Sequence, residues 1–324
     1  MATADLVSVP ASRRMAPKGK TTSLAQRQLS WAFFFLLPWL VGLLAFQLLP
    51  ILFTIFLSFT DYKANVEFAP GNFNLVGLDN FQHLLSDPTA LPSMGTTLKF
   101  ALIGIPLGFI IPMLFALLVN SRSLAASSVF RTFFFLPSVI PVVAGTIIFS
   151  GVLNAQTGWI DLALRSVGIG DPPRWLTDPV WSVPALNLLA IWSVGNAMII
   201  LLAGLQGVPT ELYEAAIMDG AGPVQRFFNI TLPLISPIIF YNVTLGMIGA
   251  FQYFVPALLI GHTNGDPQGS LLFFPLHFYR EAFVFGNMGY GSVLALVIFV
   301  ITMLATALLF TVGQRLVYYA GSES

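Results

Sequence analysis

The chain contains no cysteine, which excludes disulfide staples and thiolate metal sites. It is also poor in charge. Asp, Glu, Lys and Arg make up 9 % of the residues, whereas soluble domains carry about 25 %. The 14 basic residues balance the 14 acidic ones, so no net charge draws nucleic acid as a partner. The missing charge is missing in blocks. None occurs between Arg27 and Asp61, Lys99 and Arg122, Arg131 and Asp161, Asp178 and Glu211, Arg226 and Asp266, or Glu281 and Arg315. No Lys, Arg, Asp or Glu lies deep in any of these runs, which argues against a proton-coupled carrier and mildly favours a neutral solute.

What fills the space is apolar: 56 % hydrophobic residues and a mean hydropathy of +0.83. Each uncharged run is at least as long as the roughly 20 residues needed to cross a bilayer. The runs predict an all-α integral membrane protein with six transmembrane helices, at about 29–59, 98–120, 132–153, 183–206, 234–260 and 286–314. Pro38, Pro106, Pro141, Pro184 and Pro256 fall inside them, as membrane helices tolerate better than soluble ones. The alternation of transmembrane strands is missing. The first run continues through Pro50, too long for a cleavable signal, and is expected to remain as a helix.

With both ends in the cytoplasm, the inner segments hold Arg13, Arg14, Lys18, Lys20, Arg27, Arg122, Arg131, Arg226 and Arg315. The outer ones keep Lys63, Arg165, Arg174 and Arg280, with Lys99 at a helix edge. That bias predicts both termini inside, with residues 1–28 as a basic cytoplasmic tail and 318–324 as a second. Gly19-Lys20-Thr21 imitates the end of a phosphate-binding loop, but Arg14 stands where the first glycine belongs and no strand precedes it. Any ATP chemistry must therefore come from another chain.

Residues 207–233 interrupt the apolar pattern on the inner side. Thr210 is placed to cap a helix beginning at Glu211, with acids in its first turn. The helix should stop at Gly220, restart at Pro223 and end near Pro233. Leu212, Ile217, Met218, Val224, Phe227 and Phe228 make this hairpin more apolar than a solvated loop. The spacing of Glu214-Ala215-Ala216, Asp219-Gly220-Ala221 and Ile230-x-Leu232-Pro233 resembles the EAA loop of ATP-binding-cassette importer permeases.

The likeness extends along most of the chain, toward the carbohydrate importers of the maltose type. It includes Arg131-Thr132-Phe133-Phe134-Phe135-Leu136-Pro137, Phe251-Gln252-Tyr253-Phe254, Gly265-Asp266-Pro267, Tyr279-Arg280-Glu281-Ala282-Phe283 and Met288-Gly289-Tyr290-Gly291-Ser292. Val255 and Asp266 depart from it, where the family often has an acid and a glycine.

The resemblance implies the type I importer permease fold in a prokaryotic inner membrane, without catalysis, cofactor or metal. It also implies partners: a second permease, an ATPase dimer, an extracytoplasmic solute-binding protein and a sugar. The EAA loop would be a coupling helix seated in the ATPase, with Glu211, Glu214, Ala215, Ala216, Asp219, Gly220 and Pro233 as its docking residues. Permeases of the same family carry polyols, glycerol phosphate or amino acids, and these remain alternatives for the solute.

Uncharged polar and aromatic groups suited to a sugar lie on the later helices: Asn187, Trp192, Asn196, Asn242, Gln252, Tyr253, Asn287, Tyr290 and Ser292. The same residue types also join membrane helices to one another, and Gly104-x-x-x-Gly108 is ordinary close packing. His83, His262 and His277 lack metal-ligand spacing. Asp61–Leu98 is the longest outer segment and is a candidate contact for an external protein.

Overall fold

The computed structural model describes residues 21–121, 124 and 126–318. The expected basic tail at Arg13, Arg14, Lys18 and Lys20, the Gly19-Lys20 imitation, Arg122 and most of the second tail lie outside the described residues. The described residues divide between Phe53 and Thr54 into two units. Helix α1 (Thr21–Leu43) of the first passes through one widened turn (Leu44–Leu48) into α2 (Leu49–Ser58), whose residues from Thr54 on belong to the second. The turn carries neither glycine nor proline, and α1 holds Pro38 without breaking.

The second unit is helical as well. It contains α3 (Asp79–Ser86), α4 (Ala90–Asn120), α5 (Ser127–Val139), α6 (Val142–Val152), α7 (Trp159–Ser166), α8 (Ser182–Trp192) and α9 (Gly195–Gln206). Then follow α10 (Thr210–Met218), α11 (Pro223–Arg226), α12 (Leu232–Leu234), α13 (Ser236–Phe251), α14 (Val255–Gly261), α15 (Phe274–Tyr279) and α16 (Met288–Leu316). Among the described residues the only strand-like pairing is one bridge between Thr60 and Leu75. Four segments are long and apolar enough to cross a membrane: 31–58, 90–120, 236–261 and 288–314. The pairs α5–α6 and α8–α9 bring the number to six if each is one bent span.

The bends are where the fold departs from straight rods. α5 and α6 meet at 105° and α8 and α9 at 50°. Ile140 is extended (φ −71°, ψ 129°) because Pro141 disfavours helical geometry in the residue before it. α13 likewise stops at Phe251 and restarts at Val255, with Pro256 in the first turn of α14. α4 is the central helix and packs on α8, α9, α13 and α15. One apolar cluster joins Phe100, Leu186, Leu271 and Phe273, and a second joins Met113, Met198, Leu201 and Ile235. Close approach of α4 and α8 depends on Gly104, where a Cβ would stand 2.6 Å from Asn187 Oδ1.

The segment ahead of α4 is fastened by one acid whose side chain is nearly closed off. Asp87, between α3 and α4, accepts the Thr89 hydroxyl (2.6 Å) and N–H (2.8 Å) on Oδ1, and the Tyr290 hydroxyl and His277 Nε2 on Oδ2. Arg280 Nη2 lies 3.2 Å from His277 Nδ1, so the ring accepts there and donates through Nε2. Burial pushes the His277 imidazole below its ordinary value, although Asp87 opposes the shift. Burial pushes Asp87 upward, but hydrogen bonds from Thr89, Tyr290 and His277 outweigh it and hold the carboxyl well below the usual range.

Both shifts weaken the folded state in acid. The unfolded chain takes a proton on this histidine near pH 6.5, which the folded chain resists until lower pH. Asp87 adds a further loss only below pH 3.8. The thermal midpoint of the purified protein should therefore begin to fall as pH drops through 6.5. His277→Gln should flatten that limb of the profile, and an unchanged slope would refute the assignment.

Candidate functional site

Two regions collect the hairpin residues and four of the nine path residues singled out in the sequence. The first is the α10–α11 hairpin. α10 starts one residue earlier than expected: Thr210 is its first helical residue, Pro209 precedes it, and no side chain caps the end. The stop is the expected one. Gly220 adopts φ +79°, its N–H donates to Ile217 O at 3.0 Å, and the Ala221 N–H donates to Ala216 O at 2.8 Å. These two bonds make a Schellman turn, which satisfies the last carbonyls and fixes the exit direction.

Pro223 opens α11, as expected from its preset φ. Pro233 does not end the second limb. The chain passes through a widened turn (Phe227–Thr231) into α12, where Pro233 is accommodated without the N–H that an ordinary turn would require. The limb and the next span are therefore nearly continuous. Tyr213 Oη lies 2.9 Å from Thr231 Oγ1 and ties the hairpin's two sides.

Glu211, Glu214, Ala215, Asp219 and Gly220 are exposed, and Ala216 and Pro233 are half-buried. Around them Met218 (87 % exposed), Val224 (70 %), Phe228, Ile217 and Leu212 form an uncovered apolar tip. Glu214 and Arg226 also line a cleft of about 410 Å³ under α10, with Asn120 and Gln206.

The second region lies where the interrupted spans meet. A cavity of about 340 Å³ is bounded by the α5–α6 break at Pro137, Ser138 and Ile140, by the α8–α9 break at Trp192 and Ser193, and by Tyr253 and Pro256 at the α13–α14 break. Backbone groups released by helix breaks are tolerated at membrane depth only against protein or a polar cavity. Asn196 lines the cavity and is exposed, and its side chain makes no hydrogen bond among the described residues. Trp192 stacks on Phe149 at 5.8 Å, which fixes its ring as one wall.

Of the nine residues expected along a solute path, Trp192, Asn196 and Tyr253 share this cavity. Gln252, the next residue, is exposed in an adjoining apolar groove of about 570 Å³ between α13 and α16, with Thr302 and Thr306. The other five lie elsewhere. Asn187 is buried, with Nδ2 on Val183 O and Oδ1 against Gly104. Asn242 and Ser292 bond to their own helices, at Ile238 O and Met288 O. Asn287 and Tyr290 line a small separate pocket with Asp61 and His83. Ser138 and Ser193 were missed; their one sequence signal was position beside breakers, Pro137 and Gly195. Among the described residues no cluster of His, Asp or Glu could hold a metal.

Comparison with known proteins bears on both regions. Residues 104–318 match the model of the family described as binding-protein-dependent transport system inner membrane component. The chain is 36 % identical to a probable ABC transporter permease, YesP, of Bacillus subtilis, covering 89 % of this chain and 92 % of that one. It is 30 % identical to the trehalose/maltose transport system permease MalF of Thermococcus litoralis, covering 91 % and 97 %. The lactose transport system permease LacF of Rhizobium radiobacter is 31 % identical, over 89 % and 93 %. The fold is similar to a chain of a bacterial ABC transporter that imports alginate, with a TM-score of 0.72, 23 % identity and coverage of 91 % and 98 %.

Proposed function

We infer the work of this chain from the family to which it belongs, the binding-protein-dependent transport system inner membrane components: it is a multi-pass permease of an ATP-driven importer, and its solute is a sugar. It forms half of the path with a second permease, receives its solute from an extracytoplasmic binding protein, and is driven by a separate pair of ATPase subunits. Both termini lie in the cytoplasm, on the side of the hairpin. The chain carries the movement and leaves hydrolysis to its partner. Relatives named for trehalose, maltose and lactose support a sugar. So does a cavity bordered by an indole, a phenol, an amide and two hydroxyls, with no ionised side chain to pair with glycerol phosphate or an amino acid.

The observation that carries the reading is the hairpin. Its apolar tip is uncovered, its turn is closed by two backbone bonds, and its second limb runs almost directly into a span. Ala215 and Ala216 allow close approach, Glu211, Glu214 and Asp219 supply polar contacts, Gly220 sets the turn, and Pro233 marks the return to the membrane. A rigid element gripped by a motor can transmit the motor's closure to the helices beyond it. The membrane equilibrium shifts only by the motor's differential affinity for its two states.

Because the chain has no cysteine, Met218→Cys gives a single reactive thiol. Crosslinking in intact cells is expected to capture a nucleotide-hydrolysing subunit from Met218→Cys and not from Gln156→Cys. Capture from neither position, in cells that import the solute, would overturn the coupling role.

A further inference from the structure

The segment between α6 and α8 links two spans, and α8–α9 separate it from the hairpin. It therefore lies at the opposite membrane boundary, a placement that rests on the membrane reading above. α7 within it also exposes large apolar side chains on the face turned away from the fold. Its inner face holds Ile160, Leu164 and Asp161, the last 1 % exposed and accepting the Trp175 indole N–H at 2.8 Å. Its outer face carries Trp159 (77 % exposed), Leu162 (53 %) and Arg165. Val167, Ile169 and Val180 of the same segment are exposed as well. A surface helix in water turns its polar side outward. An outward face of tryptophan, leucine and arginine suits the layer where headgroups meet acyl chains.

Beside this helix is a cleft of about 610 Å³. Arg165, Arg174, Asn154, Gln156 and Thr177 line it, with Asp171 on one wall. Among the described residues no Lys or Arg nitrogen lies within 4.0 Å of an Asp or Glu oxygen, so neither arginine has an acidic partner. The walls are ordered in advance. Asn154 Oδ1 accepts the Gln156 and Thr157 N–H groups and the Thr157 hydroxyl, while Trp175 pins the stretch beside Arg174. Two guanidinium groups with amide donors match the oxygens of a phosphodiester. Asp171 accepts, and so suits a headgroup that donates through a hydroxyl or a primary ammonium.

We propose that this cleft binds the headgroup of a phospholipid in the leaflet opposite the hairpin, with Trp159 and Leu162 resting in the acyl boundary of the same leaflet. The headgroup is glycerol or ethanolamine rather than choline, which has no donor for Asp171. The site anchors the α6–α8 segment, and with it the α5–α6 and α8–α9 breaks that border the cavity.

The test uses the assembled transporter, reconstituted in nanodiscs of phosphatidylglycerol, phosphatidylethanolamine or phosphatidylcholine, then washed in detergent and its retained phospholipid counted by mass spectrometry. Wild type should retain at least three times more of the first two lipids than of phosphatidylcholine. R165Q/R174Q should lose that excess, and Leu162→Gln should reduce it with the arginines intact. Equal retention of all three lipids, or full retention by R165Q/R174Q, overturns the proposal. So does an R165Q/R174Q variant that loses only its partner subunit or binding protein while its lipid is unchanged. Millimolar glycerol phosphate raising the thermal midpoint as much as phosphatidylglycerol would also overturn it, by showing a soluble ligand at the site. Import measured on the same wild-type preparation separates the outcomes: intact import without lipid preference removes the lipid site and leaves the permease standing.

Discussion

Gly220→Pro is expected to leave the protein inserted at wild-type abundance, to cut solute uptake at least tenfold, and to free ATP hydrolysis from its dependence on solute. The argument is one of backbone geometry. Gly220 stands at φ +79°, and proline is locked near about −65°. The substitution also removes the N–H that donates to Ile217 O, so half of the Schellman turn is lost. Nothing in this chain lies within 4 Å of where a Cβ would sit, so crowding within the chain plays no part. This separates two explanations by a graded series. Gly220→Asn, which tolerates the left-handed region, should keep most of the uptake, whereas Gly220→Val pays a backbone cost of about 1–2 kcal/mol and should fall between. The hairpin is exposed and outside every span, so the spans should insert regardless. Wild-type uptake by Gly220→Pro vesicles would remove the coupling role, and equal loss in Gly220→Asn would make the effect one of side-chain contact.

The second large effect is expected at the meeting of the broken spans. Asn196→Leu should lower uptake at least tenfold with little change in the thermal midpoint, because the residue lines the cavity and its amide bonds to nothing among the described residues. A sugar hydroxyl bonded by this amide would be left unpaired against leucine, and an unpaired buried polar group costs about 1–3 kcal/mol. Gln252→Leu should behave in the same way. Its exposed amide beside a helix break needs a polar neighbour, because lipid offers none.

Asn187→Leu is the contrast. Its side chain is buried against Gly104, so leucine should crowd α4, lower the midpoint and reduce uptake only in proportion to the protein lost. Uptake kinetics beside thermal melts would check all three. Equal behaviour of Asn196→Leu and Asn187→Leu would refute the division between cavity and packing amides.

Some of this was legible from residues alone. The hairpin was, because a helix stop at glycine followed by a restart at proline is a local matter of φ and of missing N–H groups. Thr210 was misjudged as a cap, since Pro209 already supplies the non-helical entry. Pro233 was misjudged as a terminator, since the widened turn before it relieves the proline. Asp87 and His277 gave no warning: 190 positions separate them, and neither sits in a pattern that predicts a partner.

The chain by itself determined its solvent and its number of uncharged runs, because the cost of placing a charge in hydrocarbon is set residue by residue and needs no neighbour. It also determined where the one exposed hairpin would turn. Only the tertiary structure decided which polar side chains look into the cavity. Asn187 and Asn196 have the same chemistry and lie nine positions apart, yet one is closed against α4 and the other is open. The bend at Ser193 and Val194 lies between them. The direction of every side chain beyond that bend depends on how α9 packs, and packing is a property of several segments at once.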